Sequence, residues 1–482
     1  MMKTTARWGF SMVIVLLLAV WIQAGYAVVL DTNVKDGYTE YLGVTGTATD
    51  RNAPYRLIVP DAWNGGLLIY VRGTGSSIMV EVVNGQSVRI LDPDSRLPIV
   101  GVTPLANTAG AVDNAGAIAL EAELLGQDYA LVASDFKPEP RFVNEGLLGW
   151  SVEDGLIDTL AVTQEARSIL RLWHGRPPQR LILWARSQGS LIGLRLAEMP
   201  NAPYDGFISG CTVGAGTPRA WDVAIGIALA YDVAFAQVGG WNEAKWGSIG
   251  GGDLPYHLSF ARDVAPTLAA QVSNPSNFGL FEFIRLVNDL PLEGFYPAPE
   301  NPQFNWLFID MLFLTEVRAD LEAKAEGAIA QNIGHVYRLS AEERAYLAGL
   351  GIEADALLRA MNRRATITAD PWARLYVERF ADLYGKIQRP VISMHTTVDG
   401  LVPPAHESAY RESVEEAGKS AKLVQVYAHS VGHCTFTLQQ WLTTVDAMSD
   451  WLTTGIAPDR QVFPAALGFD HRFVPPPWPQ PE

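Results

Sequence analysis

Cysteine is almost absent from this sequence. Its 482 residues hold two, Cys211 and Cys434. Two thiols cannot complete a tetrahedral zinc site, and no H-E-x-x-H pattern offers histidines instead. In an oxidising compartment such a pair can still form a disulfide. Basic runs are lacking too. Lys and Arg number 36 against 52 Asp and Glu, for a net charge of −16. Nucleic-acid surfaces need clustered cations, so this balance argues against that class of partner and implies a soluble, acidic surface. Beyond the N-terminal stretch no apolar run is long enough to cross a bilayer. There is no internal repeat, and none of the motifs calls for a cofactor.

Material for a core is plentiful. Hydrophobic residues make up 48% of the chain and charged ones 18%. That composition fits several domains, or one large α/β core carrying an insertion. The first residues read as a targeting segment. Lys3 and Arg7 precede an apolar stretch from about Trp8 to Ile22, and Gly25 and Ala27 are the small residues before a cut after Ala27. No cysteine follows to carry a lipid. Residues 1–27 are therefore expected to be a signal peptide rather than an anchor, for which the apolar stretch is barely long enough. The mature protein is expected to be secreted or periplasmic, with no stable membrane span.

Short apolar runs then alternate with helical patterns. Leu67 to Val71, Tyr129 to Ser134, Arg180 to Ala185, Gly206 to Val213, Pro390 to Thr396 and Leu423 to His429 read as strands. They are continuously apolar, as strands buried on both faces are. Residues 155–175 are amphipathic at helical spacing, with Gly175 placed to end the helix. The stretches Pro404 to Gly418 and Thr435 to Thr454 read as further helices. This alternation predicts an α/β fold with a mainly parallel, doubly wound sheet. Two insertions interrupt it. One carries Asn84-Gly85 between two β-like runs, a hairpin signal. The other, residues 216–370, is rich in helical patterns and large aromatics such as Trp221, Tyr231, Phe235, Trp241, Trp246 and Trp306. A capping box at Ser340 and Glu343 opens one of its helices. The expected organisation is a core of residues 28–215 and 371–460, a helical cap or lid at 216–370, and an irregular Pro-rich tail at 461–482.

Candidate chemistry sits at the strand ends. Ser187 follows the strand "RLILWA" and starts the helix "QGSLIGLRLAE", in the frame Ala185-Arg186-Ser187-Gln188-Gly189. It is placed either as a nucleophile on a strand-to-helix turn or as an ordinary helix N-cap. A nucleophilic serine needs a base, and the base needs an orienting group. Asp399 stands in the turn "TTVDGLVPP" after a later strand, where it can be that acid or a plain turn aspartate. His433 stands in "GHCTFT" between the last strand and the last helix, and is preferred to His429 at the strand end. The Gly73-Thr74-Gly75 turn after the first strong strand can present the Thr74 amide toward the serine. The amide of Gln188 would be the second donor to an oxyanion.

In the order Ser, acid, His, with the elbow, the Arg72-Gly73-Thr74-Gly75 loop, the acid loop and the histidine loop, the chain resembles the α/β-hydrolase superfamily. The likeness covers about Tyr55 to Val213 and Pro390 to Thr454. Ala185 replaces the usual first glycine of the elbow, and Arg72 replaces a frequent histidine of the oxyanion loop. The resemblance implies an esterase, with Ser187, His433 and Asp399 as catalytic residues and Thr74 and Gln188 as the oxyanion hole. The His433-Cys434 step also resembles the tannase and feruloyl esterase group, in which a cysteine beside the serine is bridged to one beside the histidine. Here Arg186 precedes the serine, so that pairing is not met as it stands. A Cys211–Cys434 bridge near the site is the form this chain offers, provided the two Cα atoms lie within roughly 7 Å; two buried free thiols are the alternative. The expected substrate is a small carboxylic ester, apolar or aromatic. An amidase, an acyltransferase and a non-catalytic binding module on the same fold stay open.

Overall fold

The computed structural model describes residues 26–46, 53–83, 86–104, 114–136, 149–236, 248–252, 254, 258–297 and 305–479. The leader up to residue 25, the Asn84-Gly85 turn, Trp241, Trp246 and the last three residues of the tail lie outside them.

The strands are β1 (Tyr26–Lys35), β2 (Tyr38–Gly46), β3 (Ala53–Pro60), β4 (Gly66–Val71), β5 (Val80–Val83), β6 (Gln86–Arg89), β7 (Ala130–Ser134), β8 (Arg180–Arg186), β9 (Gly206–Gly210), β10 (Val391–Val398) and β11 (Leu423–Val431). Nine of them form one sheet in the order β1-β2-β3-β7-β4-β8-β9-β10-β11. From β7 to β11 all pairings are parallel. From β1 to β3, and between β3 and β7, they are antiparallel. The sheet is thus mixed, and its first three strands add to the mainly parallel one that the sequence predicts. The physical reason lies in β1. Its apolar residues continue the apolar leader, which hides their alternation, and the tight turn to β2 rests on Gly37 at φ +82°. β5 and β6 form a separate hairpin that closes at Val83 and Gln86, on either side of Asn84-Gly85.

The main helices are α1 (Asn114–Gly126), α2 (Val152–Trp173), α3 (Gln188–Ala197), α4 (Gly216–Phe235), α5 (Ala265–Val272), α6 (Phe278–Val287), α7 (Trp306–Leu312), α8 (Arg318–Ala325), α9 (Ala341–Gly349), α10 (Ala354–Arg363), α11 (Pro371–Ala381), α12 (Ala405–Glu416) and α13 (Leu438–Thr454). Successive strand residues point to opposite faces. Leu67, Ile69, Leu181 and Leu183 pack with α2 and α3 on one face. Leu68, Tyr70, Ile182 and Trp184 pack with α1 and α13 on the other. Covering both faces is why these strands read as continuous apolar runs rather than alternating ones. Gly175, at φ +78°, follows the C-terminus of α2, and the capping box of Ser340 and Glu343 opens α9.

Between the neighbouring strands β9 and β10, the chain runs through α4 to α11. Most of the described aromatics here pack on one another. Phe235 lies 4.8 Å from Tyr231 and 4.9 Å from Phe281, ring centre to ring centre. Arg318, fully buried on α8, pairs with Glu322 at 2.8 Å and donates to the carbonyl of Ile249. The segment's buried side chains pack on one another and continue into the sheet face covered by α2 and α3.

Its return to the sheet is tied down by Glu198, at the C-terminal end of α3. The carboxylate accepts the amides of Tyr384 at 2.9 Å and Gly385 at 2.7 Å. Burial outweighs these bonds and pushes the carboxyl from 4.5 up to about 7. A carboxyl raised in the folded state contributes full stability below its unfolded pKa, and that contribution is lost as pH rises through the folded value. Glu198→Gln is therefore expected to flatten the fall of Tm between about pH 4.5 and pH 7, a window worth about 3 kcal/mol in the wild type. A variant whose Tm tracks pH as steeply as the wild type would contradict this.

Candidate active site

The site is built where β8 hands over to α3. Ser187 has φ +54° and ψ −128°, a conformation that costs a side-chain-bearing residue of order 1–3 kcal/mol. Two contacts hold it there. Its amide donates to the Gly210 carbonyl at 2.9 Å, fixing it to the end of β9. Behind it, Gly189 lets α3 press onto the end of β4, where any Cβ would overlap the backbone oxygens of Val71 and Arg72. Gly189 is thus the elbow glycine at which a side chain forces the backbone to shift. Ala185, at the elbow's other glycine position, is buried inside β8. Ser187 occupies the N-cap position of α3 but makes no side-chain cap bond. Its Oγ instead lies 2.8 Å from Nε2 of His433.

His433 stands just beyond β11. Gly432, at φ +129°, turns the chain there and donates to the Val398 carbonyl at 2.8 Å. The other ring nitrogen, Nδ1, lies 2.7 Å from Oδ2 of Asp399. Asp399 is fully buried just past β10, and its Oδ1 accepts the amides of Leu401 at 3.0 Å and Val402 at 2.9 Å. A carboxylate so held accepts the Nδ1 proton, which leaves the Nε2 lone pair facing the serine hydroxyl. Three residues separated widely in sequence are thus joined into one hydrogen-bonded chain. His429 lies on β11 itself with its side chain exposed, and His395 is buried with Nδ1 against the Thr396 carbonyl at 3.0 Å. Neither reaches the serine.

Cys211 and Cys434 are bridged, with their Cα atoms 5.2 Å apart. Cys211 follows β9 and its amide bonds to the Met394 carbonyl at 2.8 Å, while Cys434 follows His433. The bridge therefore fastens the histidine loop to the strand end that holds Ser187. Cys211 and Cys434 both have positive φ, 45° and 58°. Among the described residues, Cys211, His433 and Cys434 form the group of potential ligands close enough to hold a metal. A disulfide leaves no thiolate to bind one, and His433 is already committed to Ser187 and Asp399.

The Arg72-Gly73-Thr74-Gly75 turn packs against the serine. A Cβ on Gly73 would lie 3.1 Å from the Ser187 Cβ and 3.6 Å from its Oγ. Thr74 and Gln188 are both buried beside it. Gln188 turns its side chain away, its Oε1 accepting the Ser151 amide at 3.1 Å. From the helical segment, Trp306 of α7 lies against Gly400, next to Asp399, so that a Cβ there would overlap its ring. One turn along α7 is Asp310, buried, with Oδ2 unpartnered. Burial, and secondarily the charge of Asp399, pushes its carboxyl well above the usual range. The sequence carries no signal for Asp310 or for Asp135 behind the turn, because the adjacency of α7 to the acid loop and of β7 to β4 is not written in local pattern. A groove of about 620 Å³ between β1 and α2, lined by Leu30, Ile169 and Trp173 among others, contains none of these residues.

No family model matches the chain, and no curated protein matches it. Solved structures do. The chain is similar to an esterase from Aspergillus oryzae, at 11% identity and a TM-score of 0.40, over 90% of this chain and 88% of that one. It is similar to a tannin acyl hydrolase from Aspergillus niger, at 12% identity and a TM-score of 0.38, over 90% and 83%. A third likeness is to a variant of the rice cell wall degrading esterase LipA from Xanthomonas oryzae, at 12% identity and a TM-score of 0.37, over 86% and 88%. The fold of this chain is a mixed α/β sheet with helices on both faces. That statement rests on its own strand order, its parallel run from β7 to β11 and the elbow between β8 and α3.

Two substitutions probe the scaffold. Gly189→Ala is expected to cost about 1–3 kcal/mol in chemical denaturation, because backbone rather than a movable side chain blocks the new methyl. Cys434→Ser opens a link spanning 223 residues and is expected to cost about 2–5 kcal/mol. Denaturation midpoints equal to that of the wild type would contradict either.

Proposed function

We propose that this protein is a serine hydrolase that cleaves a small carboxylic ester through an acyl-enzyme. The observation that carries the reading is the hydrogen-bonded chain from Ser187 Oγ to His433 at 2.8 Å and from His433 to Asp399 at 2.7 Å. Ser187 Oγ attacks the ester carbonyl while Nε2 of His433 takes its proton. Asp399 holds the ring in the required tautomer and stabilises the imidazolium. The amides of Thr74 and Gln188 receive the oxyanion. His433 then protonates the leaving alcohol, and water enters by the reverse sequence to release the acid. No cofactor enters this scheme. The segment 216–370 acts as a cap over the acid loop, a role supported by Trp306 lying on Gly400. An apolar or aromatic ester suits the apolar side chains that α7 and Leu401 contribute nearby. The leader, by its sequence pattern, sends the protein to the periplasm or the medium.

A hydrolysis screen with aryl esters and matching aryl amides tests this. Turnover of esters by the wild type and its loss in Ser187→Ala, with the fold intact by circular dichroism, is the expected outcome. Turnover of amides alone would move the assignment to an amidase, and Ser187→Ala with wild-type turnover would overturn it. Asp399→Asn is expected to lower kcat by about 10⁴-fold, since an amide cannot enforce the same tautomer. A loss under tenfold would remove Asp399 from the scheme.

A further inference from the structure

Arg72 is a large side chain at the end of β4, only 1% exposed. A buried guanidinium is costly unless its donors are satisfied in good geometry. Burial draws its pKa down, and the nearby carboxylate of Asp135 opposes this. Its partners are unusual in being mostly backbone. Nη1 donates to the Gly73 carbonyl at 2.8 Å and lies 3.3 Å from the carbonyls of Thr74 and Gly75. Nε donates to the Asp135 carbonyl at 2.9 Å and lies 3.2 Å from its Oδ1. The guanidinium carbon sits 4.5 Å from the centre of the Phe136 ring. Asp135 in turn holds the far side of the loop, accepting the Ser76 hydroxyl at 2.8 Å and the Ser77 hydroxyl at 2.9 Å. The turn is thus gripped along its whole length by one buried ion pair.

The direction of that grip matters. In a trans peptide the carbonyl and the following N–H point opposite ways. Drawing the Gly73 carbonyl onto Nη1 therefore turns the Thr74 N–H away from the arginine. Gly73 itself is the loop residue in contact with Ser187. A cation bonded to the carbonyl also polarises the same peptide and strengthens its N–H as a donor. We propose that Arg72, held by Asp135, is a positioning residue that aims and polarises the Thr74 amide for the oxyanion. This inference rests on the reading of Ser187 as the nucleophile. Arg72 touches no reacting atom; it acts through the peptide between Gly73 and Thr74. The fork geometry of arginine is essential, because lysine offers a point charge that cannot reach the four carbonyls and the carboxylate that Nη1 and Nε meet.

The test compares Arg72→Lys and Asp135→Asn with the wild type on a para-nitrophenyl ester and on an aryl trifluoromethyl ketone, whose serine adduct carries the oxyanion. Arg72→Lys is expected to lower kcat by about 10²-fold, to weaken inhibition by the ketone by a similar factor, and to leave KM nearly unchanged. Asp135→Asn is expected to shift the same two quantities in the same direction by a smaller factor. A purely structural clamp would lower Tm while kcat per folded molecule and ketone affinity stay at wild-type values, and that result overturns the proposal. If Arg72→Lys does not fold, Asp135→Asn decides on the same readouts. Wild-type turnover by Ser187→Ala would instead remove the nucleophile reading, whatever the two loop variants do.

Discussion

Everything at the candidate site depends on the backbone conformation of Ser187. A residue with a Cβ does not choose φ +54° unaided. It is held there because β8 cannot continue and α3 cannot start elsewhere: the Gly210 carbonyl fixes the serine amide, and Gly189 allows the first turn of α3 to sit against the end of β4. The result lifts Oγ off the helix N-terminus, where a serine would otherwise cap, and toward His433. Phe136, Cys211 and Cys434 also have positive φ without being glycine. They lie beside the loop of Arg72 or in the disulfide. Arg96, Asp128, Asp289 and Glu326 share a positive φ elsewhere in the chain, so what distinguishes Ser187 is the set of contacts that hold it.

Around that point the constraints are of different kinds. The acid is fixed by two backbone amides, the histidine loop by a disulfide and by Gly432, and the turn of Thr74 by a buried arginine. Each holds its loop by a contact whose geometry the fold sets. Such preorganisation is what makes hydrogen-bond donors effective toward charge that develops only in a transition state. The helical segment adds the neighbour that the sheet alone does not supply. Trp306 reaches the acid loop, and Asp310 brings a carboxyl whose pKa burial pushes well above the usual range.

Much of the sheet was legible in the sequence because β4, β7, β8, β9 and most of β10 are buried on both faces and so read as apolar runs bounded by helices. The antiparallel start was not, since β1 merges with an apolar leader and the antiparallel pairing of β3 with β7 is non-local. Ser187, Asp399 and His433 were legible through their position at strand ends. The direction of the Ser187 Oγ, toward His433 rather than the first amides of α3, was not, because it is a matter of tertiary geometry. The Cys211–Cys434 pairing needed the adjacency of β9 and the histidine loop, which only the fold gives. The clamp of Arg72 was hidden for the same reason: Asp135 follows β7, and nothing local says that β7 lies beside β4. Of the described aromatics of 216–370, Trp221, Tyr231, Phe235 and Trp306 are buried in one cluster that continues into the sheet face under α2 and α3.

The reactivity of Ser187 can be measured without knowing the natural substrate. A fluorophosphonate forms a covalent adduct only with a serine whose proton is being withdrawn and whose oxyanion is stabilised. Incubation of the folded protein with a fluorophosphonate, followed by peptide mass spectrometry, should place one stoichiometric adduct on Ser187 and lose it on denaturation beforehand. An unmodified Ser187 in the folded protein, under conditions that label a known serine esterase, would contradict the assignment and leave this fold as a scaffold for binding.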